Sequence, residues 1–225
     1  MLGCFERILY PLVSRAARQL DGELAAPAAQ GCCGALHAHN GELGRGRELA
    51  RELGEALPGT IVTTSGGCAA HLAGVLGTER VKELSQWWRA REGAATAPAP
   101  PPARHGAATG TPADRAPRIG LQDSCHLRNG LGVWREPREL IARVGEYVEL
   151  PSAAACCGAA GSYSVVRPKD SARVLDPHLD EIAAADLDLI VVVNAGCYRQ
   201  LQQGVKRRKL RTRVVHLAEL LAGEK

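Results

Sequence analysis

A chain of 225 residues is long enough for one large or two small domains, and at 45% hydrophobic it can bury a core, although 4% aromatics leave Ala, Leu and Val to fill most of it. Its 28 basic and 24 acidic residues give a net charge of +4, too balanced to argue for a nucleic-acid partner. No run approaches the ~20 apolar residues of a membrane helix, and residues 1–10 lack a basic region followed by an apolar core, so no secretory signal and a cytoplasmic location are expected.

In chain order, the first landmarks are Cys4 and then Cys32-Cys33-Gly34-Ala35. A helix is expected over 46–57. Residues 60–64 (TIVTT) are a β-branched run read as a buried strand, ending in Ser65-Gly66-Gly67-Cys68 and passing into a helical segment. Another helix is expected over 79–91, carrying Trp87 and Trp88. Residues 92–117 are rich in Pro, Ala and Gly and read as a disordered or semi-extended connector. Beyond it, a strand over 118–122 delivers Cys125, a helix follows over 136–144, and Cys156-Cys157-Gly158-Ala159 precedes a helix over 168–185. A strand over 189–193 (LIVVV) runs into Asn194-Ala195-Gly196-Cys197, and a last strand over 213–216 leads to a helix over 217–221. Strands alternating with helices argue an α/β fold with parallel strands.

The two halves repeat each other. Cys4, Cys32-Cys33-Gly34 and Gly67-Cys68 answer to Cys125, Cys156-Cys157-Gly158 and Gly196-Cys197, with gaps of 27 and 34 residues in one copy and 30 and 39 in the other. All eight cysteines fall into the pattern. The expected organisation is a first lobe over 1–91, a connector over 92–117 and a second lobe over 118–225. The first lobe has only three residues before Cys4, so the strand that precedes Cys125 has almost no counterpart there. Either the true start lies upstream or the first lobe lacks one strand.

In a reducing compartment, eight cysteines point to metal binding or catalysis before disulfides. Thiolates are soft ligands for iron–sulfur clusters, zinc or Cu(I), and four per copy is the usual ligand count. Adjacent cysteines diverge, so one ion takes both only with strain, whereas a multinuclear cluster accepts them at different irons. Mononuclear zinc sites typically use Cys-x2-Cys hairpins, and none occurs here. Gly34 and Gly158 allow left-handed turns beside the paired cysteines, and Gly67 and Gly196 precede the last ones. Each last cysteine opens a helix, where free N–H groups favour an anionic thiolate centre. A zinc-binding structural module and a thiol–disulfide reductase remain alternatives.

Other residues are plainer. His37, His39 and His126 are candidate hydrogen-bond donors to cluster sulfurs, or surface histidines. Lys206, Arg207, Arg208 and Lys209, with Arg211 and Arg213, read as a solvated helix end or a docking face for an acidic partner. Asp170, Asp176, Asp180 and Glu181 read as solvated helix charges. No Gly-x-Gly-x-x-Gly, P-loop or nucleophile elbow is present.

The double pattern resembles the cysteine-rich CCG domain found in heterodisulfide reductases, glycolate oxidase iron–sulfur subunits and lactate-utilisation proteins. The greatest likeness is to the glycolate oxidase type, through residues 30–42 (QGCCGALHAHNGE), Asp123-Ser124-Cys125-His126, residues 156–163 (CCGAAGSY) and residues 215–221 (VHLAELL). The resemblance implies iron–sulfur clusters, of 4Fe-4S type and up to one per lobe, on Cys4, Cys32, Cys33, Cys68, Cys125, Cys156, Cys157 and Cys197. It implies electron transfer from a partner FAD-linked 2-hydroxy-acid oxidase or dehydrogenase toward quinone, and it is compatible with peripheral association at the inner face of the cell membrane through the complex. Two departures bear on this. The ferredoxin-like module of the glycolate type, with its Cys-x2-Cys-x2-Cys-x3-Cys-Pro runs, has no counterpart in this sequence, so the chain is expected to act as a truncated or stand-alone unit with that module or subunit as a further partner. The heterodisulfide reductase motif ends in Cys-x2-Cys, whereas the final position here is His71 in one copy and Gln200 in the other. His71 is a candidate nitrogen ligand; Gln200 is a poor one.

Overall fold

The computed structural model describes residues 30–92 and 115–223, with Met1, Val13, Pro27 and residues 15–17. Cys4, the start of the first lobe and residues 93–114 of the expected connector lie outside the described residues.

The first lobe runs α1 (Ala35–His39), α2 (Leu43–Ala56), β1 (Ile61–Thr63), α3 (Gly66–Leu76), β2 (Val81–Glu83) and α4 (Leu84–Glu92). Helix α2 buries Gly46, Ala50, Leu53 and Gly54, a spacing that places them on one face. That face packs on Leu72 and Ala73 of α3 and on Ile61 and Val81 of the strands. Fully burying each such leucine or isoleucine contributes about 1.5–3 kcal/mol.

The second lobe contains β3 (Arg118–Gln122), α5 (Cys125–Leu131), α6 (Arg135–Ile141), β4 (Glu146–Tyr147), α7 (Tyr163–Val166), α8 (Pro168–Ala184), β5 (Leu189–Val192), α9 (Ala195–Arg208), β6 (Arg213–His216) and α10 (Leu217–Ala222). Its sheet has the order β4-β3-β5-β6 with every pairing parallel. Both faces are covered, so the strands are apolar on both sides. Ile190 and Val192 face α8 and α9 through Leu175, Leu179 and Leu201. Leu189 and Val191 face α6 and α10 through Leu140, Ile141, Leu217 and Leu221.

The expected helix over 79–91 is corrected at its start. Val81–Glu83 pairs in parallel with β1, Ile61 opposite Val81, and the helix begins only at Leu84. The strand–helix junction there repeats that of β6 and α10. Glu83 accepts from Ser85 N (2.8 Å) while Gln86 Oε1 accepts from Glu83 N (3.2 Å). His216 Nδ1 accepts from Ala218 N (3.1 Å) while Glu219 Oε2 accepts from His216 N (2.6 Å). The duplication therefore extends to the reciprocal helix caps.

The lobes join at the N-terminal ends of α3, α5 and α9. Gly66 N donates to Val193 O (3.0 Å), and buried His216 donates from Nε2 to Thr64 O (2.9 Å). A Cβ on Gly66 would lie 2.4 Å from Ser124 Oγ, so the seam admits only glycine there.

Candidate metal centre

In the second lobe the chain leaves β3 toward β4 on one side and β5 toward β6 on the other. The carboxyl ends of two such neighbours form a crevice where open parallel sheets bind ligands. Cys125 opens the helix after β3, and Cys197 is the third residue of the helix after β5. The loop between β4 and α7 brings Cys156 and Cys157 to the same place. Cys157 and Cys197 sulfurs are 2.8 Å apart, and Cys156 lies near enough to Cys125 to raise the pKa of its thiol. In the first lobe Cys33 and Cys68 sulfurs are 3.1 Å apart, and Cys68 is the third residue of α3.

The paired cysteines sit on matching turns. Gly34 and Gly158 have φ of +82° and +81°, a region open to glycine. Each offers its N–H to the first cysteine of its pair, Gly34 to Cys32 at 3.4 Å and Gly158 to Cys156 at 3.3 Å. A Cβ would lie 2.2 Å from Gly46 O in one lobe and 2.6 Å from Ser171 O in the other. Gly67 and Gly196 have neither the positive φ nor a backbone clash; a Cβ on each would meet the Asn194 side chain at 3.4 and 3.3 Å.

The thiols share protons pairwise. Cys125 and the Gly158 N–H bring Cys156 down to about 6, against burial. Cys157 is held down by its bond with Cys197, and Cys197 is pushed up by the same bond and by burial. Cys125 is raised by Cys156 and burial. Cys33 is raised by its bonds with Cys32 and Cys68 and by burial. Among the described residues, no three His, Cys, Asp or Glu side chains are placed to chelate one ion. The donors converge in pairs around a crevice, an arrangement of soft ligands suited to a group larger than one atom.

His71 and Gln200, three residues past the last cysteines, do the same job in the two lobes. His71 Nε2 donates to Gly46 O (3.0 Å), tying α3 to α2. Gln200 Nε2 donates to Ser171 Oγ (2.6 Å) and to Ser171 O (3.3 Å), tying α9 to α8, and Ser171 Oγ donates to Gly158 O (2.8 Å). His39 and His126 meet across the seam with Nε2 atoms 3.1 Å apart, and His126 Nδ1 lies 3.7 Å from Cys125 Sγ. Burial holds both histidines below the usual value, with the partner histidine adding to the effect on His126 and His71 to that on His39. His37 instead pairs with Glu42.

Asn194 is a functional-site residue that the motif pattern does not single out. It stands at the N-cap of α9, yet its Oδ1 accepts from the other lobe, from Gly67 N (3.0 Å) and Ser65 Oγ (3.1 Å), while Nδ2 faces Cys197 Sγ at 3.7 Å. One side chain thus touches the approach to Cys68 and the sulfur of Cys197. Asp123 gains its role only in the fold. Only 4% exposed, it accepts from Arg128 (2.7 Å) and Arg138 (2.8 Å) and fixes the corner that delivers Cys125.

Three of the six residues of the basic run are paired within the chain. Arg207 pairs with Asp176, Arg208 with Asp180 at 2.9 Å, and Arg211 with Asp186 at 2.5 Å. Trp87 and Trp88 are both half-buried and pack on different cores.

Residues 1–73 and 119–202 match the family model of the cysteine-rich domain CCG. The chain is 34% identical over 220 residues to the probable glycolate oxidase iron-sulfur subunit of Bacillus subtilis, covering 90% of this chain and 48% of that protein. It is 26% identical over 248 residues to lactate utilization protein A 2 of Bacillus cereus, covering 97% of this chain and 95% of that protein. Over 241 residues it is 26% identical to lactate utilization protein A 1 of Bacillus anthracis, with the same coverage. The chain therefore spans about half the length of the first of these relatives and nearly all of the other two.

Proposed function

The chain belongs to the cysteine-rich CCG domain family, and from that premise we propose that it is the iron–sulfur electron-transfer subunit of an FAD-linked 2-hydroxy-acid dehydrogenase complex of the glycolate or lactate type. One observation carries the reading: in the second lobe, thiols from three separate loops meet in pairs at the carboxyl ends of β3 and β5, and the first lobe repeats the arrangement with Cys32, Cys33 and Cys68. The names of the relatives supply the system, one being a glycolate oxidase iron-sulfur subunit and others lactate utilization proteins. We assign the donors as Cys125, Cys156, Cys157 and Cys197 in the second lobe, and Cys32, Cys33 and Cys68, with Cys4, in the first. His71 is left out of the donor set because its Nε2 is committed to Gly46 O. The lobe limits proposed are residues 1–91 and 118–225.

A bound iron–sulfur cluster, proposed as 4Fe-4S type, supplies reversible one-electron capacity. The residues of this chain do the rest. Cys156 and Cys157 are held toward the thiolate by their neighbours, ready to ligate iron. Backbone N–H groups of the CCG turns, from Gly34, Gly158 and Ala159, point at the paired cysteines and stabilise negative charge there. Gly34 and Gly158 let α2 and α8 pack closely against the CCG turns, where Cys33 and Cys157 are buried while Cys156 stays exposed. No helix among the described residues is long and apolar enough to cross a membrane, so contact with a membrane-bound quinone is proposed to run through the complex, with a ferredoxin-like module or subunit as a further relay.

The test is reduction in anaerobic solution by the FAD-linked subunit together with glycolate or lactate. Bleaching of the visible absorbance that depends on both the flavoprotein and the 2-hydroxy acid is expected. An iron-loaded chain that dithionite bleaches but the flavoprotein and hydroxy acid never do would overturn the assignment to this system.

A further inference from the structure

Five large hydrophobic residues stand out as exposed among the described residues: Leu43, Tyr163, Val165, Val166 and Val174. All lie on segments that follow the two CCG turns, and four are on α7 and α8 of the second lobe. Val165 and Val166 are 62% and 69% exposed. Val174 adjoins the site, because its Cβ lies 3.2 Å from where a Gly158 Cβ would stand, and exposed Cys156 is on the same turn. Helix α7 is held in place by Ser164 N donating to Ala159 O (3.2 Å) and by Arg199 reaching Ser164 Oγ (3.4 Å).

The duplication provides an internal control. Counted from the CCG motif, Tyr163, Val165 and Val166 fall opposite His39, Gly41 and Glu42 of the first lobe, none of them a large apolar residue. This place in the fold does not need large exposed apolar groups. Apolar patches rimmed by polar residues mark interaction sites, and the rim here is one-sided. Arg167 and Lys169 are exposed and have no ion-pair partner among the described residues. Arg173 is 81% exposed and shares Asp170, the acid on this rim, at 3.4 Å.

We propose that the face formed by Tyr163, Val165, Val166 and Val174, with Arg167 and Lys169 at its rim, is where the electron-donating flavoprotein docks, through an apolar contact ringed by acidic side chains. The inference rests on the function proposed above and locates the entry point at the second lobe. An electron donor must bring its redox group close to the thiolates, and Val174 of this face stands beside the turn that carries exposed Cys156. A four-residue helix is too short to lie in a lipid interface as an amphipathic anchor, which favours a protein partner. The basic rim speeds association with an acidic surface and makes the rate salt-dependent.

The test uses the full iron-loaded chain and the purified FAD-linked subunit of the same organism, with binding read by biolayer interferometry across ionic strengths. Three variants are compared: V165D/V166D, R167E/K169E, and R51E on the exposed side of α2. The first should weaken binding by about tenfold or more. The second should slow association and flatten its salt dependence, and R51E should bind like the unaltered chain. Because R167E/K169E alters only exposed charges, it carries the test if V165D/V166D loses iron. Unchanged binding by both patch variants overturns the docking face and leaves the proposed function standing. Failure of the unaltered chain to bind the flavoprotein overturns both. Loss of binding to phosphatidylserine vesicles in V165D/V166D, with flavoprotein binding retained, overturns the protein partner in favour of a lipid surface.

Discussion

Replacing Asn194 should separate two tasks that its side chain performs together. Oδ1 accepts two hydrogen bonds from the other lobe, and Nδ2 faces Cys197 Sγ at 3.7 Å. In Asn194→Asp the carboxylate still accepts from Ser65 and Gly67 but has no donor for the sulfur. In Asn194→Ala all three contacts go. A hydrogen bond of ordinary geometry contributes a net ~0.5–1.5 kcal/mol, and this long contact to sulfur belongs at the lower end, about 0.5–1 kcal/mol. A donor at a ligating sulfur favours the more negative, reduced state. Its loss therefore lowers the midpoint potential, by roughly 20–40 mV for a one-electron couple. Aspartate should lower it further through the added negative charge. Loss of the two seam contacts should cost Asn194→Ala about 1–3 kcal/mol of stability, which Asn194→Asp largely keeps. The assay is an anaerobic redox titration followed by EPR, beside urea unfolding of the same samples. A second-lobe potential in Asn194→Asp equal to that of the unaltered chain would refute the sulfur contact, and unchanged stability in Asn194→Ala would refute the seam.

Two further predictions concern the frame around the site. His216 is buried, and burial pushes it down from 6.5 to about 4. The unfolded chain then takes up a proton first as pH falls, so this group's contribution is complete above pH 6.5 and is lost as pH drops toward 4, about 2 kcal/mol by pH 5. Urea midpoints at pH 7.5 and 5 should differ less in His216→Gln by that amount; an identical pH dependence in the variant would count against it. At the CCG turns, Gly34→Ala and Gly158→Ala force a side chain into left-handed backbone and against a helix carbonyl, and each should cost about 2–4 kcal/mol. Gly31→Ala, with nothing within 4 Å of its Cβ, should stay within ~0.5 kcal/mol of the unaltered chain. Equal effects at Gly31 and Gly34 would dismiss the close-packing argument.

The strands that carry the second-lobe site are legible in the sequence because each is a β-branched or apolar run buried on both faces, as LIVVV at 189–193 is. Strand β2 is not, because Val81-Lys82-Glu83 is short and runs straight into a helix whose Leu84, Trp87 and Trp88 already have helical spacing. Only pairing with β1, some 20 residues away, makes it a strand. The donors are legible through duplication, which no single copy would reveal. The same comparison holds a further signal: His71 and Gln200 occupy matching positions and make matching struts. Asn194 cannot be found this way. Its partners Ser65 and Gly67 lie 129 and 127 residues earlier, and its counterpart in the first lobe is Ser65 itself.

Iron and acid-labile sulfide content, measured with a visible spectrum on protein purified without oxygen, tests the central claim most directly. The account predicts a brown protein with about four irons and matching sulfide at the second lobe, lost on replacing Cys157 or Cys197 with serine. A colourless chain that takes up zinc, and stays iron-free after anaerobic reconstitution, would contradict it.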